Sequence, residues 1–302
     1  MLELVNHTPF VTHFYRIPDE HGDDTLYVLL KASFHMSSDW ALLEQQVPVW
    51  QTDIFDVTQT ELLYPAEIHT GKQATDVFIS GKVCCLDGRV ANSMDVHVCI
   101  GHLDRVLTVH GRRDQQNRQP EPFSRMNLSY RNAYGGQSND HVYVRNPIGK
   151  GYADNELPNL SWPSDEVAGF SPIHAHWPQR YQYAGTYDQV WRETRAPYLP
   201  ADFDSRFCQS AHPDMIYSGF MQSGEPVYLS GLHPAGDIQF DLQRLNPVMK
   251  IQTATGHTQE RAQLETLWLE PNQYQYSMTW RFKHRLTTMA ENIQKVTVQL
   301  TR

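Results

Sequence analysis

The sequence predicts a mainly β protein, in which antiparallel sheets pack in a sandwich-like arrangement with long ordered loops and few short helices. Two observations predict this fold class. Residues 274–282 alternate apolar and polar side chains, and this period of two places the apolar groups on one face of a strand. Short strand-like runs divided by Gly and Pro also recur in both terminal thirds of the chain.

The amino-terminal part, residues 1–110, is predicted to be rich in strands. Residues 26–34 form an extended apolar run, and because Lys31 and Ser33 lie on its second face we expect one edge to be half-buried. Alternation over residues 94–100, followed by Gly101 and a second apolar run, predicts a β-hairpin.

The rest of the chain divides into a loop-rich central part, residues 111–213, and a strand-rich carboxy-terminal part, residues 214–302. The central part is rich in Pro, Gly, Asn, Tyr and Trp but has little periodicity. Its aromatic content predicts ordered loops that wrap the strands, fixed by Trp162, Trp177 and Trp191. Residues 188–195 are expected to form two helical turns before Pro197. We expect residues 1–302 to form one domain.

The composition limits the class of protein. The chain has 302 residues, of which 40% are hydrophobic, and this apolar content argues against disorder. A net charge of −9 without a long basic stripe disfavours nucleic acid as a partner. No apolar run is long enough for a membrane span, and the first residues lack the pattern of a signal peptide. The four cysteines lack metal-ligand spacing, so we expect mostly buried, reduced thiols in a cytoplasmic protein.

Motifs of catalysis are weak throughout. The GxSxG pattern of a nucleophile elbow is absent, and Thr70-Gly71-Lys72 lacks the earlier glycine of a phosphate loop. We therefore expect no enzymatic activity, no cofactor and no metal. The alternative is a metal-dependent hydrolase or sugar-active enzyme that uses His174, His176, Asp202 and Asp204, since an HxH pair and a DxD pair carry metal-ligating groups.

A protein-binding surface is the second kind of site to consider, because Trp, Tyr and Arg concentrate binding energy at interfaces. Aromatic residues are interleaved with polar ones around residues 177–191, and arginines crowd residues 105–131. For the aromatic residues the alternative is packing, and for the arginines it is local ion pairing. The candidates for partner binding are Trp177, Arg180, Tyr187, Asp188, Trp191, Arg112 and Arg113.

An ordered series of short motifs extends along almost the whole chain. It includes Asn6-His7-Thr8-Pro9-Phe10, Gly71-Lys72-Gln73-Ala74-Thr75-Asp76-Val77, Tyr130-Arg131-Asn132-Ala133-Tyr134-Gly135-Gly136, Trp177-Pro178-Gln179-Arg180, Leu199-Pro200-Ala201-Asp202-Phe203-Asp204 and Thr279-Trp280-Arg281. As a series it resembles the family called domain of unknown function 2169. Two positions depart from the family pattern, at Gly111-Arg112-Arg113 and at Asn127, and both lie in the arginine-rich segment.

The resemblance implies a role in the bacterial type VI secretion apparatus. Proteins similar to this family act as non-enzymatic cytoplasmic adaptors or chaperones. They bind a toxic effector and help to mount it on the spike, which consists of a valine-glycine repeat protein (VgrG) and its PAAR tip. The partners implied are therefore an effector and, beyond it, the spike proteins, with neither nucleic acid nor membrane.

Overall fold

The computed structural model describes residues 3–254, 256–286 and 293–301, and strands dominate them, as the sequence predicts. In chain order the strands are β1 (Glu3–Asn6), β2 (Val11–Pro18), β3 (Asp24–His35), β4 (Ile54–Phe55), β5 (Leu62–Tyr64), β6 (Asp76–Ile79), β7 (Lys82–Cys84), β8 (Ser93–Ile100), β9 (Leu103–His110), β10 (Arg125–Asn127), β11 (Tyr134–Gly135), β12 (Lys150–Gly151), β13 (Leu160–Ser161), β14 (Pro226–Ser230), β15 (Ile238–Asp241), β16 (Pro247–Thr253), β17 (His257–Arg261), β18 (Gln263–Glu270), β19 (Gln275–Arg285) and β20 (Ile293–Leu300).

Helices within the described residues are short. They are α1 (Pro178–Tyr181) and α2 (Gln189–Thr194), together with 3-10 turns at Leu86–Gly88, Tyr130–Asn132, Ser205–Cys208, Pro213–Met215 and Pro271–Gln273. The predicted helix near residue 188 is confirmed as α2. It begins there because the Asp188 carboxylate accepts a hydrogen bond from the backbone N–H of Trp191.

Three larger sheets organise the chain. The first has the order β2-β3-β19-β18-β6, the second β13-β9-β8-β14-β15, and the third β1-β20-β16-β17. The predicted hairpin is confirmed in the second sheet, where β8 pairs antiparallel with β9 and Gly101 adopts a positive φ of 55° in the turn. Most strand pairs among the described residues are antiparallel, but β6 pairs parallel with β18, β1 with β20 and β11 with β12.

The three larger sheets share one hydrophobic core. Val28 and Trp280 reach it from the first sheet, Val98 from the second and Met249 from the third. The first and second sheets contact each other where the ring centroids of Phe240 and Tyr276 lie 5.1 Å apart. Burial of these apolar side chains is the main stabilising contribution to the fold.

Two details of the strand prediction are wrong. Tyr274 is not part of the strand that follows it. It adopts a left-handed φ of 53° at the end of the Pro271–Gln273 turn, and its side chain is 39% exposed. The second face of β3 is not half-exposed either, because chain from the 43–67 region covers it. Lys31 there pairs with Glu67 at 2.9 Å, and Ser33 N–H donates to Gln46.

The central part contains few regular elements, as predicted, and is ordered by packing. Trp162 packs edge-on against Phe170 in the main core, with ring centroids 5.3 Å apart. Trp177 and Tyr130 belong to a second, smaller hydrophobic cluster. Trp191 is only half-buried. Three of the four cysteines are buried, as predicted, and all four are free thiols.

Candidate functional site

Residues 185–202 form a loop that contains α2 and whose two ends lie next to each other, and we call this loop the excursion. At its base Thr186 donates two hydrogen bonds to the Asp202 carboxylate, from its backbone N–H at 2.9 Å and from its hydroxyl at 2.7 Å. Gly185 precedes them with a φ of 79°, and a Cβ at this position would lie 2.8 Å from the Cβ of Pro200. The two ends of the excursion are therefore held together at its base.

Large side chains are exposed on this excursion. Tyr187 is 52% exposed, Val190 is 65% exposed and Tyr198 is 43% exposed. Trp191 lies among them, and its ring centroid is 4.7 Å from that of Tyr187 in an edge-to-face arrangement. We call these four residues, Tyr187, Val190, Trp191 and Tyr198, the α2 surface.

The α2 surface is held in place by hydrogen bonds to the backbone. Trp191 Nε1–H donates to the carbonyl of Tyr198 at 2.9 Å, which joins the two ends of the surface. Arg195 donates to the carbonyls of Leu199 and of Glu20, and the second bond attaches the excursion to the β2–β3 turn. An aromatic surface fixed in this way loses little conformational entropy when a partner covers it.

Three other candidates for partner binding lie in residues 177–191. Trp177 and Arg180 make contacts within the protein, and Asp188 caps a helix. Trp177 is only 7% exposed and packs edge-on against Tyr130, with ring centroids 5.4 Å apart. Arg180 is half-buried and donates hydrogen bonds to the carbonyls of Ile173 and Phe207. Asp188 is exposed, and its carboxylate caps α2. For Trp177 the structure therefore shows the packing role that the sequence left open.

The arginine-rich segment pairs largely with its own surroundings. Arg112 forms an exposed ion pair with Glu156 at 3.0 Å. Arg113 is half-buried, donates to the carbonyl of Pro158, and has a pKa lowered by burial. Arg131 binds Asp56 at 2.7 Å. The ion pairs of Arg112 and Arg131 are those of the alternative, in which the arginines pair locally.

The four residues of the hydrolase alternative contact other side chains of the protein. The rings of His174 and His176 lie 4.3 Å apart, and burial together with the neighbouring His176 lowers the pKa of His174. Asp202 accepts from Thr186, and Asp204 binds Arg206 and Gln73. Across residues 3–254, 256–286 and 293–301, no three His, Cys, Asp or Glu side chains gather as potential metal ligands.

A buried ion network lies on the second face of the first sheet, and sequence reasoning did not find it. Arg281 binds Glu265 at 2.7 Å, and Lys72 binds Asp76 at 2.7 Å. The backbone N–H of Lys72 also donates to Glu265, which links the two pairs. Burial raises the pKa of Glu265 and lowers that of Arg281, because each charge loses its hydration. The available signal was a Lys or Arg inside an apolar strand, as at Lys31 and Arg281.

Together the fold and the α2 surface define a mainly β protein with several sheets and an exposed aromatic surface of the composition typical of protein-binding sites. The model of the family described as "Uncharacterized protein conserved in bacteria (DUF2169)" matches residues 21–281. The chain belongs to this family. No curated protein and no solved structure matches it. Within the described residues, no helix has the length and apolar character required to cross a membrane.

Proposed function

We propose that this chain is a non-enzymatic cytoplasmic adaptor that binds a type VI secretion effector and helps to load it onto the VgrG and PAAR spike. Membership of the family supports the proposal through the role that the motif resemblance implies. The structural observation that carries it is the α2 surface, where Tyr187, Val190 and Tyr198 are exposed on a segment fixed by its own hydrogen bonds. Exposed apolar groups clustered on one segment are typical of sites that another protein covers.

The mechanism we propose is reversible burial. An apolar segment of the effector packs on the α2 surface and is thereby kept from aggregating until the spike assembles. The driving force is the removal of apolar area from water, at about 25 cal/mol for each Å². Tyr187 and Trp191 already form an edge-to-face pair, so they present a preorganised anchor rather than two independently moving rings.

The proposal is tested by affinity purification of the tagged protein from its native cells, with mass spectrometry of the proteins that co-purify. We expect one dominant effector, with or without spike proteins. Recovery of the protein alone, from cells shown to express the secretion apparatus, would contradict the proposal.

A matched pair of variants tests whether capture of the effector depends on the α2 surface. Val190 is 65% exposed within the surface, and Val90 is 67% exposed in the loop before β8. We expect Val190→Ser to reduce the amount of effector recovered and Val90→Ser to leave it unchanged. Equal recovery with both variants would show that the effector binds elsewhere on the protein.

A further inference from the structure

A cleft of about 440 Å³ lies beside α1, in the size range of sites that bind small ligands or a few residues of peptide. Apolar side chains form much of its wall, including Ile173, Pro178 and Ile216. Three arginines, Arg145, Arg180 and Arg206, also line the cleft, whereas none of its lining residues is Asp or Glu. We call this feature the α1 cleft.

The three arginines differ in how their charge is balanced. Arg145 binds Asp165 at 2.5 Å, and Arg206 binds Asp204 at 2.5 Å. Among the described residues, no carboxylate lies within ion-pair distance of Arg180. Its pKa is lowered by burial, in the direction expected for a cation that has lost water without gaining a paired anion.

The hydrogen bonds of Arg180 leave part of its guanidinium free. The group has five N–H donors. Nε–H and one N–H of Nη2 donate to the carbonyl of Phe207 at 3.1 and 3.0 Å, and one N–H of Nη1 donates to the carbonyl of Ile173 at 2.8 Å. One N–H on each of Nη1 and Nη2 has no acceptor among the described residues. Two such donors fit the two oxygens of a carboxylate.

Arg180 is also held in place before any ligand arrives. Its guanidinium carbon lies 5.3 Å from the centroid of the Phe207 ring, and its two carbonyl acceptors come from different parts of the central loops. A fork fixed in this way needs little further ordering to bind an anion.

Gln209 provides an independent observation at the same cleft. The residue lines the cleft and is buried, and its Nε2 donor has no hydrogen-bond partner in the described part of the chain. Gln179, which also lines the cleft, donates from Nε2 to the carbonyl of Arg145 but has an unpartnered Oε1. Buried polar atoms are rarely left without partners, and those that are call for an explanation such as an ordered water or a bound ion.

We infer that the α1 cleft binds a peptide carboxylate, with Arg180 as its bidentate donor and with an adjacent apolar side chain against Ile173, Pro178 and Ile216. The inference rests on the proposed function, since the peptide would be a segment of the effector. It names the chemistry of that segment, an acidic group next to an apolar one. The carboxylate is that of an Asp or Glu side chain or that of the chain's carboxy terminus.

Short synthetic peptides test this inference on the purified full-length protein by ligand-observed NMR. The probes are acetyl-Leu-Glu-Leu-amide, its Gln counterpart, and acetyl-Leu-Ala-Leu with either a free or an amidated carboxy terminus. We expect at least one acid to bind more tightly than its amide, by roughly tenfold or more. Preference for the Glu peptide assigns a side-chain carboxylate, and preference for the free terminus assigns a chain end. Equal binding of acids and amides, or binding of none, would overturn the inference.

Variants locate the binding. We expect Arg180→Gln to reduce acid binding by roughly tenfold or more, and Arg89→Gln, at an exposed arginine outside the cleft, to leave it unchanged. Because Arg180 also holds two loop carbonyls, circular dichroism must show that its variant is folded. Gln209→Glu is the second variant, since a carboxylate built into the cleft competes for the same fork. Acid binding that survives either folded variant unchanged would overturn the assignment.

The two proposals fail in different ways. If the effector co-purifies equally well with wild type and with folded Arg180→Gln, the adaptor function stands and the role of the cleft is refuted. If the acidic peptides bind through Arg180 but no effector is captured from cells, the cleft stands and the adaptor function is refuted.

Discussion

Lys72 Nζ lies 2.7 Å from Asp76 Oδ2, and both side chains are buried. The ammonium also donates to Thr266 Oγ1 at 2.9 Å, and the same carboxylate oxygen accepts from the backbone N–H of Ser210 at 2.8 Å. This pair therefore connects β6, β18 and the loop that follows the 3-10 turn at Ser205–Cys208. It attaches the loop-rich central part to the first sheet.

Removing the carboxylate should be strongly destabilising. Asp76→Asn leaves the buried ammonium of Lys72 without its counter-charge, and breaking a buried pair in this way costs roughly 3–5 kcal/mol of unfolding free energy. The double variant Lys72→Met with Asp76→Leu removes both charges, so we expect it to be less destabilised than Asp76→Asn. Urea denaturation of the three proteins measures the difference.

The control for this prediction is an exposed pair. Arg16 and Asp24 form an ion pair whose side chains are 60% and 44% exposed. We expect Asp24→Asn to change the unfolding free energy by no more than about 1 kcal/mol. Similar losses for Asp24→Asn and Asp76→Asn would show that burial does not determine the cost.

Substitutions of Trp177 and of Tyr187 should distinguish a residue that packs in the protein interior from one that binds the effector. Trp177 is buried against Tyr130, so Trp177→Ala should lower the unfolding free energy by roughly 3–5 kcal/mol. Tyr187 is exposed, so Tyr187→Ala should change stability by only about 0.5 kcal/mol while weakening effector capture. Thermal melting combined with co-purification distinguishes the two. A large loss of stability in Tyr187→Ala would contradict the assignment of this residue to a binding surface.

Arg112 should contribute little to stability. Its ion pair with Glu156 is exposed on the arginine side, and such pairs are worth about 0–1 kcal/mol. We therefore expect Arg112→Ala to match wild type in melting temperature and in effector recovery. Reduced recovery at unchanged stability would instead place Arg112 at the partner interface.

His69 should make the fold sensitive to acid. Burial, followed by the charges of Lys72 and Arg180, holds its pKa well below the ordinary value of 6.5. Its Nδ1 accepts from the Gly71 N–H at 3.1 Å, and its Nε2 lies 3.0 Å from Arg281 Nη2, so a second ring proton would face a donor. The unfolded chain takes up this proton more readily. The contribution of neutral His69 to the unfolding free energy is therefore complete above about pH 6.5, and it is lost as the pH falls below that value.

The measurement is the unfolding free energy between about pH 7 and about pH 5 for wild type and His69→Gln. We expect wild type to lose stability over this interval more steeply than the variant, because Gln has no proton to gain. Equal slopes would show that His69 is not responsible for the acid sensitivity.

Features that depend on neighbouring residues were predictable from the sequence. The alternation of Val96 and Val98 predicted β8, and the run of residues 188–195 before Pro197 predicted α2. Tyr274 was assigned wrongly because its left-handed backbone follows from the preceding turn at Pro271–Gln273, whereas its aromatic ring fits the strand pattern.

Features that depend on distant residues were not predictable. Lys72 meets Glu265 and Thr266 only because β6 pairs parallel with β18, and a parallel pairing of strands so far apart has no local signal. The α1 cleft likewise needs Arg145, Arg180 and Arg206 to be brought together by loops of irregular conformation. Exposure of Tyr187 and burial of Trp177 could not be told apart, since both lie in segments of similar composition.

The adaptor function is tested most directly by secretion from the native cells after deletion of the gene for this chain. We predict that one effector disappears from the secreted fraction while other effectors and the spike proteins are still secreted. Complementation with wild type should restore that effector, and complementation with a stably folded Tyr187→Ala, Val190→Ser double variant should not. Unchanged secretion of every effector in the deletion strain would contradict the account.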